Sequence, residues 1–179
     1  MKTSVFIATS LDGFIAREDG ALDWLPPGGG EDHGYTAFIA TVDAVVMGRH
    51  TYETVLTFDA WPFAAGLPVI VLTTRPLDRP PPRGATVEIM TGPPRDIVAR
   101  LAERGMQHLY VDGGITVQRF LSAGLIQHFT LTRIPVLLGR GIPLFGPIAS
   151  DIRFEHIATQ SYAGGMVTSQ YLIRDAPAD

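Results

Sequence analysis

The stretch Asp43-Ala-Val-Val-Met-Gly-Arg-His-Thr-Tyr-Glu53 decides how the rest of the chain is read. Ala44 to Met47 is a short apolar run rich in β-branched residues, the pattern of a strand buried on both faces. Gly48 ends it, Arg49, His50 and Thr51 follow, and Thr51-Tyr52-Glu53 opens a helix. A strand that passes through glycine into a helix N-terminus carries free backbone N–H groups to the sheet edge. Such groups attract anions, phosphate among them. Arg49 adds a fixed positive charge there. The same residues also suit an ordinary strand-to-helix turn with a surface arginine.

Upstream, Tyr35, Phe38, Ile39 and Val42 recur at helical spacing and predict a helix over residues 31–42. Glu31 and Asp32 fall in its first turn. At about 100° per residue, Glu31 lies near the centre of the apolar face and Asp32 at its flank. One reading is a carboxylate beside an apolar cleft, its pKa raised by desolvation. The other is the general preference of acidic residues for helix starts. Before this helix, Asp23-Trp-Leu-Pro-Pro-Gly-Gly-Gly30 reads as a loop, either a lid or a surface insertion. Val5 to Ala8 is the first buried strand, and Ser10-Leu-Asp-Gly-Phe-Ile-Ala16 follows it.

Downstream, Leu67 to Leu72 is another buried strand, ending in Thr73-Thr-Arg-Pro76. Arg75, just past that strand's C-terminal end, is well placed for a ligand, and equally for solvent. Thr86 to Met90 is a short alternating strand, and Pro93 suits the first turn of a helix that stops at Gly105. His108 to Asp112 is a strand, followed by Gly113-Gly114 and a helix carrying Val117, Phe120 and Leu121. Two glycines at such a junction let a ligand approach the backbone closely. Leu125 to Leu138 reads as one long strand bent near Pro135, and Phe154–Tyr162 with Val167–Ile173 as a hairpin. The alternating units predict an α/β fold: a mixed, mostly parallel central sheet flanked by helices, with a C-terminal antiparallel hairpin.

A length of 179 residues fits a single domain over 1–179. The net charge of −4, without any basic block, argues against nucleic acid while leaving room for a small anionic ligand held by a few arginines. There is no cysteine, so disulfides and thiolate metal sites are excluded, and the five histidines are not at metal-ligand spacing. Met1-Lys-Thr3 leads straight into a strand, and no apolar run is long enough to span a membrane. The expectation is a cytoplasmic protein without nucleic-acid or membrane partners. The apolar segment Phe129 to Leu138 is hard to cover with the available helices, which predicts a homodimer.

Val45-Val-Met-Gly-Arg-His-Thr-Tyr-Glu53 resembles the cofactor motif of dihydrofolate reductases. Val111-Asp-Gly-Gly114, Gly124-Leu-Ile126, Pro135 to Phe145 and Ser10 to Ala16 resemble the reductase domain of bacterial riboflavin biosynthesis. Nearly the whole chain is covered, in order, by this likeness to the dihydrofolate-reductase-like superfamily. The resemblance implies NADPH and hydride transfer to a pterin-like or pyrimidine-like small molecule. Gly48, Arg49, His50 and Thr51 match the segment holding the cofactor's phosphates. Thr73, Thr74 and Arg75 match the turn at the adenosine ribose, and Gly113, Gly114, Ile115, Thr116 and Val117 the pyrophosphate turn. Ala8 and Ile15 match positions beside the nicotinamide.

Dihydrofolate reductases carry an acidic residue sixteen residues before the motif glycine, which here is Asp32. Helix phasing favours Glu31, so both stand as proton-handling candidates. The residues around Pro135 to Phe145 pull toward the riboflavin branch, whose substrate needs a site for a ribose phosphate. Arg133 and Arg140 are candidates for it, and each also suits a plain surface charge. A strict dihydrofolate reductase and a non-catalytic nucleotide- or pterin-binding module are the alternatives.

Overall fold

The protein is described by a computed structural model covering residues 1–26 and 32–173. The elements run β1 (Lys2–Thr9), β2 (Phe14–Ala16), α1 (Tyr35–Ile39), β3 (Ala44–Gly48), α2 (Arg49–Val55), β4 (Pro68–Leu72) and β5 (Thr86–Met90). They continue with α3 (Pro94–Glu103), β6 (His108–Asp112), α4 (Gly114–Ser122), β7 (His128–Arg133), β8 (Ile142–Pro143), β9 (Phe154–Ser161) and β10 (Val167–Ile173). One sheet has the order β5-β4-β3-β6-β1-β7-β10-β9. From β5 to β7 every neighbour is parallel. β10 runs antiparallel to both β7 and β9. This is the expected mixed, mostly parallel sheet with its C-terminal antiparallel hairpin.

Strand alternation builds two cores, one on each face. Ala44, Val46, Ile70, Leu109 and Val111 point to one side, where Ile97 and Leu101 of α3 and Val117 and Phe120 of α4 cover them. Val45, Met47, Val69, Val71 and Tyr110 point to the other, under Tyr52 and Val55 of α2 and Phe63. Each Val, Leu, Ile, Phe or Met among them contributes roughly 1.5–3 kcal/mol on full burial. A one-residue slip of β3 would exchange its two faces, so the register is strongly specified.

Three expectations are corrected. The first helix spans only Tyr35–Ile39. His33 at φ 54° and Gly34 at φ 86° are both left-handed and cannot extend it backwards. The long strand stops at Arg133, because Pro135 has no N–H to offer and Val136 N–H turns back onto the Ile134 carbonyl at 2.8 Å. Its apolar residues are only partly covered: β7 lies between β1 and β10 and Phe129 is 1% exposed, while Leu137, past the strand's end, is 69% exposed. The residues after Val136 fold back onto the first turn of the chain. The Asp12 carboxylate accepts from Gly139 N–H at 2.7 Å and Leu138 N–H at 3.2 Å, and β8 pairs with β2 in a small second sheet.

Candidate functional site

Parallel strands bring their C-terminal ends to one edge. Gly48 pairs with Leu72, and Met47 with Asp112, so the turns after β3, β4 and β6 lie side by side. In sheets of this kind ligands bind at that edge. Two adjoining cavities open there. The outer one, about 420 Å³, is walled by Arg49, His50, Thr73, Thr74, Arg75 and Arg119. The inner one, about 630 Å³, runs past Gly48, Thr51 and Gly113 to Ala8, Ile15, Tyr35, Tyr110 and Asp112. Arg49, His50, Leu72 and Arg119 line both and mark the junction.

The turns after β3 and β6 touch through glycine. Gly113 has φ +87°, and a Cβ there would run into the Thr51 side chain. A Cβ on Gly48 would lie 3.2 Å from Thr116 Oγ1. On Gly114 it would meet Ile15 Cδ1 at 3.0 Å and the Pro143 carbonyl at 3.1 Å. The small sheet therefore seats directly on the start of α4. No side chain caps α4, so the N–H groups of its first turn are free for a ligand.

The arginines divide into two kinds. Arg49 is already held by Glu53 at 2.7 Å and Asp78 at 2.9 Å. Arg75 and Arg119 reach the outer cavity, and among the described residues neither guanidinium is engaged in an ion pair or hydrogen bond. They are the cations with charge to spare for an anionic ligand.

Among the described residues, the inner cavity holds one carboxyl group, Asp112. Its Oδ1 accepts from Gly113 N–H at 2.8 Å, while protein surrounds the rest of it except where it opens to the cavity. Burial pushes its pKa up to about 6, and the Gly113 bond offsets this only in part. Two phenols sit nearby. Burial, then the Asp112 charge, raises Tyr35 to about 12. Burial is also the first cause that holds Tyr110 well above the usual tyrosine range. Tyr110 donates to the Phe6 carbonyl at 2.9 Å. Both phenols stay protonated at neutral pH, and Asp112 titrates close to it.

The expected sites are placed unevenly. Gly48, Arg49, His50, Thr51, Gly113, Gly114, Ile115, Thr116, Ala8 and Ile15 line the inner cavity, and Thr73, Thr74 and Arg75 the outer one. Val117 does not; it is fully buried in the core, one turn inward from Gly113. Asp32 is solvent-exposed and lines neither cavity. It accepts from Thr36 N–H at 3.0 Å and Thr36 Oγ1 at 2.7 Å, and these bonds hold its pKa below the usual value rather than above it. Glu31 lies outside the described residues. Arg133 and Arg140 are exposed and line neither cavity. Sequence reasoning passed over Asp112, Tyr35 and Arg119. The available signal was alternation: Asp112 shares the face of Tyr110, two residues before it, and ends a buried strand at the double glycine.

The model of the RibD C-terminal domain family matches residues 2–168. The chain belongs to the RibD C-terminal domain family. The uncharacterized protein YwjB of Bacillus subtilis (strain 168) is 34% identical over 178 residues, which cover 90% of this chain and 92% of that one. A crystal structure from Shewanella sp. PV-4, ascribed to riboflavin biosynthesis, is 40% identical with a TM-score of 0.89, covering 98% of this chain and 100% of that chain. Dihydrofolate reductase from Enterococcus faecalis, complexed with NADP(H), is 21% identical with a TM-score of 0.68 and 97% of each chain covered. At that identity the likeness is one of fold, and it makes this RibD C-terminal domain dihydrofolate-reductase-like in architecture.

Proposed function

We propose that this RibD C-terminal domain is an NADPH-dependent reductase acting on a pterin-like or pyrimidine-like small molecule. The observation that carries the reading is one continuous cleft. It begins at Arg75 and Arg119, passes two glycine turns at helix starts, and ends at a half-buried carboxyl with a pKa of about 6. The order suits a dinucleotide with its phosphates outward and its reacting ring inward.

The residues fit that group. Arg75 with Thr73 and Thr74, joined by Arg119, would hold the adenosine end and its extra phosphate by charge-assisted bonds. Gly48, Arg49, His50 and Thr51, facing Gly113, Gly114, Ile115 and Thr116, would hold the pyrophosphate. Ala8 and Ile15 would flank the nicotinamide. NADPH supplies a hydride to an electron-poor ring carbon. The chain's own part is to bind and orient both rings, exclude water and supply the proton. Asp112 carries it at a carboxyl oxygen facing the cavity, passes it to the substrate nitrogen as the adjoining carbon is reduced, and regains one from solvent. We assign that role to Asp112 in place of Asp32.

The proposal extends to a homodimer in the cytoplasm. No helix among the described residues is long and apolar enough to cross a membrane. β9 is an edge strand with Ile157 50% exposed, and Leu137 is 69% exposed, a surface that suits a second copy. The functional test is loss of NADPH absorbance with a panel of oxidised pterins and pyrimidines. Oxidation with dihydrofolate alone would make the protein a strict dihydrofolate reductase. Tight NADPH binding with no oxidation across the panel would favour a non-catalytic module.

A further inference from the structure

We propose that the inner half of the cleft takes an uncharged, unphosphorylated ring compound and excludes ribosyl phosphates. The reductase reading supplies only the chemistry done on that compound; the binding preference stands on the cavity itself.

Among the described residues, positive charge is confined to one end of the inner cavity. Of the described residues lining the inner cavity, the ones able to carry positive charge are Arg49, His50 and Arg119, and all three also line the outer cavity. They therefore stand at the junction, and Arg49 is already neutralised by Glu53 and Asp78. Beyond the junction the wall consists of Phe6, Leu25, Tyr35, Val55, Phe58 and Phe63 among others, with no basic side chain. Arg17, at the edge of the loop that contributes Leu22 and Leu25, is tied to Asp23 by two bonds of 2.6 and 3.0 Å. The chain's single lysine, Lys2, begins β1 at the opposite end of the strand from the cleft.

A phosphate moved past the two glycine turns, onto the wall of Phe6, Tyr35, Phe58 and Phe63, would lose its hydration with no basic side chain to replace it. It would also meet the Asp112 carboxylate, which repels it. A neutral aromatic ring has the opposite balance. It gains dispersion and stacking against Phe6 and Phe58, and its ring N–H or carbonyl finds two polar handles, the Asp112 carboxyl and the Tyr35 hydroxyl. A cavity of about 630 Å³ is in the size range of small-molecule sites.

The test is displacement at equilibrium, followed by ligand-observed NMR on the full chain with and without NADPH. Quinazolin-4-one serves as the neutral probe. Quinoxaline is expected to displace it, while uridine 5′-monophosphate and ribose 5-phosphate at the same concentration leave it bound. Phe58→Arg, at a position already 43% exposed, is expected to weaken the probe at least about tenfold. Leu25→Arg repeats the test from the facing loop. The inference is overturned if quinazolin-4-one does not bind, if either phosphate displaces it at comparable concentration, or if both arginine variants leave its affinity unchanged. Energy transfer from tryptophan to NADPH is measured separately. Absence of that signal defeats the reductase reading alone, because the probe result without NADPH still decides the substrate class.

Discussion

Asp112→Asn separates the effect of this carboxyl on stability from the proton role proposed for it. The carboxyl is raised from the ordinary 3.8 to about 6, so ionising it in the fold costs about 3 kcal/mol more than in the unfolded chain. For an acid shifted upward the native state binds the proton more tightly. Stability is therefore greatest below the unfolded pKa and falls as pH rises from about 4 toward 6 and beyond. Asparagine removes this penalty, keeps an oxygen for Gly113 N–H, and changes the volume little. The variant is expected to match the natural protein near pH 4 and to exceed it by about 1–3 kcal/mol at pH 7.5, read by urea unfolding at the two pH values. Turnover on an identified substrate should drop roughly 10²–10⁴-fold, with NADPH affinity nearly intact because its other contacts lie on separate turns. A stability gap that does not change with pH, or a variant less stable at pH 7.5, would refute the buried-carboxyl argument. Full turnover in the variant would refute the proton role, and Glu31→Gln would then be the next substitution to measure.

The remaining expectations are simpler. NADPH should bind much more tightly than NADH, and Arg75→Ala and Arg119→Ala should each cut that preference by about 1–3 kcal/mol in fluorescence titrations; equal cofactor affinities would remove both from the 2′-phosphate site. Gly113→Ala should abolish cofactor binding and lower the unfolding midpoint, since it combines a φ of +87° with a side chain driven into Thr51. His108, bonded to Ser4 at 2.7 Å and to the Thr41 carbonyl at 2.9 Å, has its pKa lowered chiefly by burial. Stability should fall as pH drops below about 6.5, where the unfolded histidine takes the proton first, and His108→Gln should flatten that slope. Light scattering at micromolar concentration should give the mass of a dimer; a monomer would set that proposal aside.

Much of this architecture was legible in the chain because it is written in short-range patterns. The Ala44–Met47 run, the Leu67–Leu72 run and the glycines at 48 and 113 specify strands buried on both faces that break into helices at one edge. Parallel order then forces those edges together, so most of the residues that line the two cavities there could be named from sequence. The carboxylate could not. Asp32 stands sixteen residues before Gly48, but spacing along the chain does not set solvent access. His33 and Gly34 turn the backbone left-handed, which shortens the helix and leaves Asp32 outside, bonded to Thr36. Asp112 became a half-buried acid only once α1 and α2 closed over the same face as Tyr110. The pairing state of each arginine belongs to the same class. Arg49 meets Asp78 across a separation of 29 residues, whereas the guanidinium groups of Arg75 and Arg119 have no partner among the described residues, and no local pattern distinguishes the three. Local periodicity fixes which residues form elements and which face they share. Burial, and with it pKa and available charge, is set by contacts between residues distant in the chain, and only the folded arrangement decides those.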